Sequence, residues 1–116
     1  MLKVLIIEDE APAAKRLEKM LTEIEPGSQV LDTIVSVTSA VKWFRENSAP
    51  DLVLSDIQLS DGISFEIFRQ VKTDCPVIFI TAFDQYAIDA FFFFCIDYLL
   101  KQVKKNELES AILIFR

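Results

Sequence analysis

The stretch Leu52–Gln58 reads LVLSDIQ and places an aspartate, Asp56, directly after a short apolar run. Runs of this length and composition are typical of a strand that is covered on both faces of a sheet. A second stretch, Val4–Glu10, reads VLIIEDE and ends in three consecutive acids. Two strands that both end in carboxylates indicate that the strand tips bring acidic side chains to one place.

Five apolar runs rich in β-branched residues alternate with segments of helical period. The runs are Lys3–Ile7, Gln29–Val35, Leu52–Ser55, Val77–Thr81 and Asp97–Leu100. This alternation predicts a single α/β domain over residues 1–116, with a parallel sheet and helices on both faces. In such sheets the ligand site lies at the carboxyl ends of the strands, near the point where the strand order reverses.

The segments between the runs predict five helices from their apolar stripes and their capping residues. The first has Pro12 in its first turn, the stripe Ala13, Leu17, Met20 or Leu21, and Ile24, and an end at Pro26-Gly27. The others are Ser39–Asn47, a helix with Ser64 as its N-cap, Gln85–Phe94, and a helix from Asn106 with Glu109 completing a capping box.

Composition excludes several classes of function. Eighteen acids and twelve bases give a net charge of −6, which disfavours direct contact with nucleic acid. The chain has no histidine, so imidazole bases, Ser-His-Asp triads and histidine-ligated metals are excluded. No segment reaches the roughly 20 apolar residues of a membrane span, and the N-terminus does not resemble a signal peptide. We therefore expect a soluble, cytoplasmic protein, in which Cys75 and Cys95 are buried, reduced thiols.

The predicted strand tips carry Glu8, Asp9, Asp56 and Thr81, and Lys101 follows the fifth strand. Clustered carboxylates need a proton or a cation between them. Hard oxygen ligands without histidine or cysteine favour Mg²⁺. Acids, a metal, a lysine and a hydroxyl together indicate a phosphoryl site, with Asp56 as the nucleophile. The plain alternative is that Asp9 and Asp56 are ordinary residues at the start of loops.

The same stretches resemble the receiver domain of two-component response regulators over essentially the whole chain. The matching motifs are LIIEDE, LVLSDIQLSDG, VIFITAFDQYAIDAF and IDYLLK, in the order and at the spacing of the family. FDQYAIDAF followed by IDYLLK further resembles the subclass joined to a LytTR-type DNA-binding domain. The resemblance implies a flavodoxin-like fold with strand order 2-1-3-4-5.

The resemblance also implies a role for each matching residue. Asp56 would be the phosphoacceptor, Thr81 and Lys101 would hold phosphoryl oxygens, and Tyr98 would be the switch aromatic. Tyr98 as a plain core residue and Thr81 as a routine strand residue remain the alternatives. The Mg²⁺ ligands would be Asp9 and Asp56 directly, Glu8 through water, and the backbone carbonyl of Gln58.

The implied partners are a sensor histidine kinase and a C-terminal output domain, which would be a LytTR DNA-binding domain that regulates transcription in a bacterial cytoplasm. A homodimer through the fourth helix, the fifth strand and the fifth helix is also implied. The domain would not be an enzyme beyond its own phosphorylation and slow dephosphorylation. The chain ends on SAILIFR without a helix-ending glycine, which predicts a longer natural protein.

Two other classes use a similar sheet. A flavin or nucleotide binder needs glycine-rich phosphate loops, but the chain has only Gly27 and Gly62. A phosphatase with an aspartate nucleophile needs a second acid two residues later, and here that residue is Gln58.

Two departures from the family pattern give further expectations. Receivers usually have a cis Lys-Pro bond where this chain has Lys101-Gln102, and a cis bond before a residue other than proline costs about 2.5–4 kcal/mol. We therefore predict a trans bond with Lys101 displaced. Phe91–Phe94 cannot all face the core, which predicts that Phe92 or Phe94 lies in a self-association or output-domain contact. Local repacking of both rings is the alternative.

Overall fold

A computed structural model describes residues 1–82, 86–90 and 95–115 of the chain. Its main sheet has five parallel strands: β1 (Lys3–Ile7), β2 (Gln29–Ile34), β3 (Leu52–Ser55), β6 (Val77–Thr81) and β7 (Cys95–Leu100). Their order is β2-β1-β3-β6-β7. When only the strands of this sheet are numbered, their order is 2-1-3-4-5, as predicted. The flavodoxin-like fold is therefore confirmed.

The described residues include five helices: α1 (Ala11–Ile24), α2 (Val37–Glu46), α3 (Phe65–Gln70), α4 (Ala87–Ala90) and α5 (Lys105–Phe115). Successive strand residues point to opposite faces, so the sheet packs against two separate apolar cores. One core joins Leu5, Val53 and Phe79 to α2, α3 and α4. The other joins Ile6, Leu54 and Ile78 to α1 and α5. Helices therefore cover both faces, as predicted.

The helix and strand boundaries differ by a few residues from those predicted. β2 ends one residue earlier than predicted and β7 begins two residues earlier. In α1 the buried stripe uses Ala14 rather than Ala13, beside Leu17 and Leu21. Ser64 precedes α3, but its side chain makes no capping hydrogen bond.

Two helices begin earlier than the sequence predicts because other residues cap them. α2 begins at Val37, where the Ser36 hydroxyl accepts the Ser39 N–H. α5 begins at Lys105, not Asn106, because the Glu107 carboxylate accepts the N–H of Lys104 at 2.9 Å. In both helices a side chain satisfies a backbone N–H that the helix itself leaves free.

A two-stranded hairpin that the sequence analysis did not predict follows β3. Its strands are β4 (Gln58–Leu59) and β5 (Gly62–Ile63), and they pair antiparallel. Gly62 has φ +149°, a conformation that favours glycine. The Asp61 carboxylate accepts the N–H groups of Val37 and Thr38 at 2.7 and 3.1 Å. The hairpin is thus attached to the first turn of α2.

The prediction of a trans Lys101-Gln102 bond and a displaced Lys101 is wrong. The bond is cis, and Lys101 Nζ lies 2.9 Å from Asp56 Oδ2. The Lys101 N–H also donates to the Thr81 carbonyl at 2.8 Å. These contacts, which the local sequence does not reveal, hold Lys101 at the site despite the general preference for trans bonds.

The prediction for the aromatic run Phe91–Phe94, and part of the prediction of a fourth helix over Gln85–Phe94, concern residues outside those that the structure describes. Phe91–Phe94 and most of the segment before α4 lie outside the described residues. Among the residues that are described, no helix is long and apolar enough to cross a membrane.

Candidate functional site

Asp56 lies directly after β3, in the centre of the sheet. Its N–H donates to the Ile7 carbonyl at 2.8 Å, which continues the pairing of β3 with β1. Its Oδ1 accepts the N–H of Ile57 at 2.6 Å, and the residue is 7% exposed. The backbone therefore fixes the carboxylate at the carboxyl edge of the sheet.

Three acids follow β1 at the same edge. Glu8 is buried, and its N–H donates to the Ile34 carbonyl at 2.8 Å. Asp9 and Glu10 are exposed. Carboxylate oxygens of these three residues and of Asp56 all lie within 4.8 Å of one another. The structure thus brings together the acids of the two stretches that the sequence singles out.

Lys101 supplies the positive charge of this group. Its Nζ lies 2.9 Å from Glu8 Oε1, 3.0 Å from Glu10 Oε1 and 2.9 Å from Asp56 Oδ2. These are distances of charge-assisted hydrogen bonds. One ammonium group therefore bridges the acids of β1 and the acid of β3.

Burial and pairing shift the pKa values of two of these groups in the same direction for different reasons. Burial raises the pKa of Glu8, against the lowering effect of its bond to Lys101. Burial alone would lower the pKa of Lys101, but its hydrogen bonds to Asp56, Glu8 and Glu10 outweigh that effect and raise the pKa. Lys101 is therefore charged throughout the physiological range.

The remaining predicted site residues surround this cluster. Thr81 is fully buried at the end of β6, and its carbonyl binds the N–H of Lys101. Tyr98 lies in β7 and is partly buried against the core on the α2–α4 side. Gln58 begins the hairpin, is exposed, and donates from Nε2 to the Tyr86 hydroxyl at 3.0 Å.

Three residues without a predicted role contact the site or the residues that hold it in place. These are Glu10, Asp61 and Tyr86. Glu10 is the third of the three consecutive acids, so the signal was present but was read only as part of a cluster. Asp61 and Tyr86 are linked to their partners across 23 to 28 residues of chain. A pattern of local spacing does not reveal contacts of that kind.

The donor set fits Mg²⁺ better than it fits a softer metal. The side chains of the cluster are all carboxylates, and hard cations prefer such ligands. Four carboxylates face one ammonium, so the cluster keeps an excess of negative charge that a cation would neutralise.

Comparison with known proteins agrees with this geometry. The family model described as "Response regulator receiver domain" matches residues 4–113. The sensory transduction protein LytT of Bacillus anthracis is 39% identical over 115 residues, covering 97% of this chain and 46% of LytT. The transcriptional regulatory protein BtsR of Salmonella typhi is 31% identical, covering 97% of this chain and 47% of BtsR.

A solved structure gives the same fold. The response regulator TrrA of Thermotoga maritima, crystallised in complex with Mg²⁺-BeF, is 26% identical and has a TM-score of 0.82 over the full length of both chains. The chain spans about half the length of the curated relatives it matches.

Proposed function

The chain belongs to the response regulator receiver domains, and from that membership we propose that Asp56 accepts a phosphoryl group from a sensor histidine kinase. The observation that carries the proposal is the Asp56 carboxylate, held 2.9 Å from Lys101 Nζ inside a cluster of acids. The phosphorylated domain would then signal to an output domain.

In the proposed reaction a carboxylate oxygen of Asp56 attacks the phosphorus atom of the donor. A P–O bond forms at Asp56, and the bond from phosphorus to the donor's imidazole nitrogen breaks, with its electron pair going to that nitrogen. Transfer of this kind depends on positioning and on neutralising the phosphoryl oxygens rather than on a strong base. The absence of histidine from the chain is consistent with this chemistry.

Lys101 would neutralise part of the phosphoryl charge through its ammonium group, and the Thr81 hydroxyl would donate to a phosphoryl oxygen. Mg²⁺ would be held by Asp9 and Asp56, by Glu8 through water, and by the Gln58 carbonyl. When bound, the metal would supply positive charge to the phosphoryl oxygens. Tyr98, in the edge strand β7, would be the switch aromatic, whose side chain changes position when Asp56 is phosphorylated.

The proposed partners follow from the relatives. LytT and BtsR are about twice as long as this chain and are named as sensory transduction and transcriptional regulatory proteins. We therefore propose a C-terminal output domain of LytTR type that binds DNA, in a cytoplasmic protein. A homodimer through α4, β7 and α5 remains part of the proposal. The domain acts as a switch rather than as an enzyme that releases a product.

The test is phosphorylation by a small donor. We expect intact-mass spectrometry to show one added phosphoryl group after incubation with acetyl phosphate and Mg²⁺, and none in Asp56→Asn. Asp74→Asn is the matched control, because Asp74 is an exposed loop aspartate away from the cluster. Undiminished phosphorylation of Asp56→Asn would remove Asp56 from this role.

A further inference from the structure

The ammonium group of Lys101 has no N–H donor to spare among the described contacts. A lysine has three N–H donors, and Lys101 contacts three different carboxylates at 2.9 to 3.0 Å. A phosphoryl oxygen on Asp56 can therefore bind Lys101 only in place of one of these contacts. Asp56 itself becomes part of an acyl phosphate and frees the donor that it holds, so the two glutamates compete with a second phosphoryl oxygen for the ammonium group.

The two glutamates are not equivalent. Glu8 is 1% exposed, and its carboxylate also accepts the N–H of Glu10, so moving it would leave a buried charge without its partner. The Glu10 side chain is 67% exposed and contacts Lys101 from the solvent side. Water can replace Lys101 around Glu10 at little cost, which makes Glu10 the partner that gives way.

We propose that Glu10 is a positioning residue that competes with the phosphoryl group for Lys101, and so slows phosphorylation of Asp56. This inference rests on the proposed function. In the unphosphorylated domain Glu10 holds one donor of Lys101. During transfer that donor turns to a phosphoryl oxygen, and the Glu10 carboxylate moves away.

The structure provides space for that movement. A cavity of about 250 Å³ lies beside the site, and Glu10, Arg16 and Lys101 all line it. Arg16 is exposed and offers a guanidinium group on the same wall of α1. The Glu10 carboxylate can thus swing into the cavity, towards another positive charge, without displacing a core residue.

Two substitutions separate competition for Lys101 from a general effect of charge. Glu10→Gln removes the charge and keeps the size. Glu10→Asp keeps the charge but shortens the side chain by one methylene, which draws the carboxylate away from Lys101. Glu109→Gln removes the same charge from an exposed position on α5 and is the matched control.

The measurements are the initial rate of phosphorylation by acetyl phosphate and the Kd of beryllium fluoride at saturating Mg²⁺, the latter by calorimetry. We expect both Glu10 variants to be phosphorylated about two- to fivefold faster and to bind beryllium fluoride tighter by a similar factor, the range expected from a part-exposed ion pair. Glu109→Gln should match the wild type.

Several outcomes would overturn the proposal. Wild-type behaviour of Glu10→Asp, or equal acceleration by Glu10→Gln and Glu109→Gln, would show that overall charge sets the rate. A weaker affinity of Glu10→Gln for Mg²⁺ alone would make Glu10 a metal ligand instead. If the wild type gains no phosphoryl group on Asp56, the proposed function fails and this inference with it. If the wild type is phosphorylated and the Glu10 variants match it, only this inference fails.

Discussion

Glu8 shows how a single residue depends on its partner. A carboxylate that is 1% exposed loses its hydration, and an unpaired buried charge of this kind costs several kcal/mol. The Lys101 ammonium at 2.9 Å offsets part of that loss, but burial still raises the pKa of Glu8. Removing Lys101 would leave the Glu8 charge buried without its partner, so a variant of Lys101 would change the stability of this edge as well as the proposed chemistry.

The two thiols should differ in reactivity. Burial raises the pKa of Cys75 to about 12 and that of Cys95 to about 11, and Cys95 is also the more exposed of the two. The thiolate is the reactive form, so we expect Cys95 to react with iodoacetamide at least about tenfold faster at pH 8. Labelling rates of Cys75→Ala and Cys95→Ala, which each keep one thiol, measure the difference by mass spectrometry.

The same rates measured in urea are the control, because unfolding should make the two thiols equivalent. Equal labelling rates in the native state would contradict the burial of Cys75, whose Sγ lies 3.2 Å from the Pro50 carbonyl.

At this scale the sequence predicts which residues meet, but not how they bind one another. Asp56 and the acids after β1 were predictable because each follows an apolar run, and the tips of parallel strands share one edge. The position of Lys101 was not predictable, because its contacts are with Thr81 and Asp56, which lie at the ends of distant strands. The role of Glu10 was not predictable, because its contact with Lys101 spans 91 residues of chain.

Among the elements, α2 depends on Asp61, a residue outside the helix, to cap its first turn. The first N–H groups of a helix need acceptors, and Asp61 accepts those of Val37 and Thr38 with both of its oxygens. These bonds, with Val37 as the stronger cause, lower the pKa of Asp61. The same carboxylate fixes the hairpin β4–β5, which carries Gln58, relative to the helix.

We expect Asp61→Asn to lower the free energy of unfolding by about 0.5–1 kcal/mol, as loss of a charged helix cap does. Because the pKa of Asp61 is lowered in the folded state, its stabilising effect is complete above the unfolded pKa of about 3.9 and is lost as the pH falls through the folded pKa. Urea unfolding of both proteins from pH 7 down to pH 3 measures this difference.

Asp74→Asn serves again as the control and should show no such dependence. A difference between wild type and Asp61→Asn that stays constant down to pH 3 would show that the charge of Asp61 contributes nothing.

The bounds of the strands were predicted correctly where a strand is a buried apolar run. They were predicted less well where contacts with distant residues determine where an element begins or ends. β1, β3 and β6 match their predicted bounds because each is a buried apolar run bounded by polar residues. The hairpin strands β4 and β5 have two residues each, too few to show an alternating pattern.

For the molecule as a whole, the acidic edge should make stability depend on Mg²⁺. A ligand that binds only the folded state stabilises it by about 1.4 kcal/mol at ten times its Kd. We expect added MgCl₂ to raise Tm accordingly, and Asp9→Asn to reduce the increase, because Asp9 belongs to the carboxylate cluster. Differential scanning calorimetry measures both.

NaCl at matched ionic strength is the necessary control, since a chain of net charge −6 gains some stability from any screening salt. An equal rise of Tm in NaCl and MgCl₂ would contradict a specific magnesium site.

Lys101 and Glu10 touch although 91 residues of chain separate them. During synthesis on the ribosome, the parts of the site therefore appear at different times. The acids after β1 emerge first and Asp56 later, but Lys101 arrives with β7, the last strand of the sheet. A nascent chain that stops at β6 has the carboxylates without the ammonium group that bridges them. Under the proposed function, competence for phosphotransfer would be acquired late in synthesis, so that a kinase would meet a nearly complete domain before it could modify Asp56.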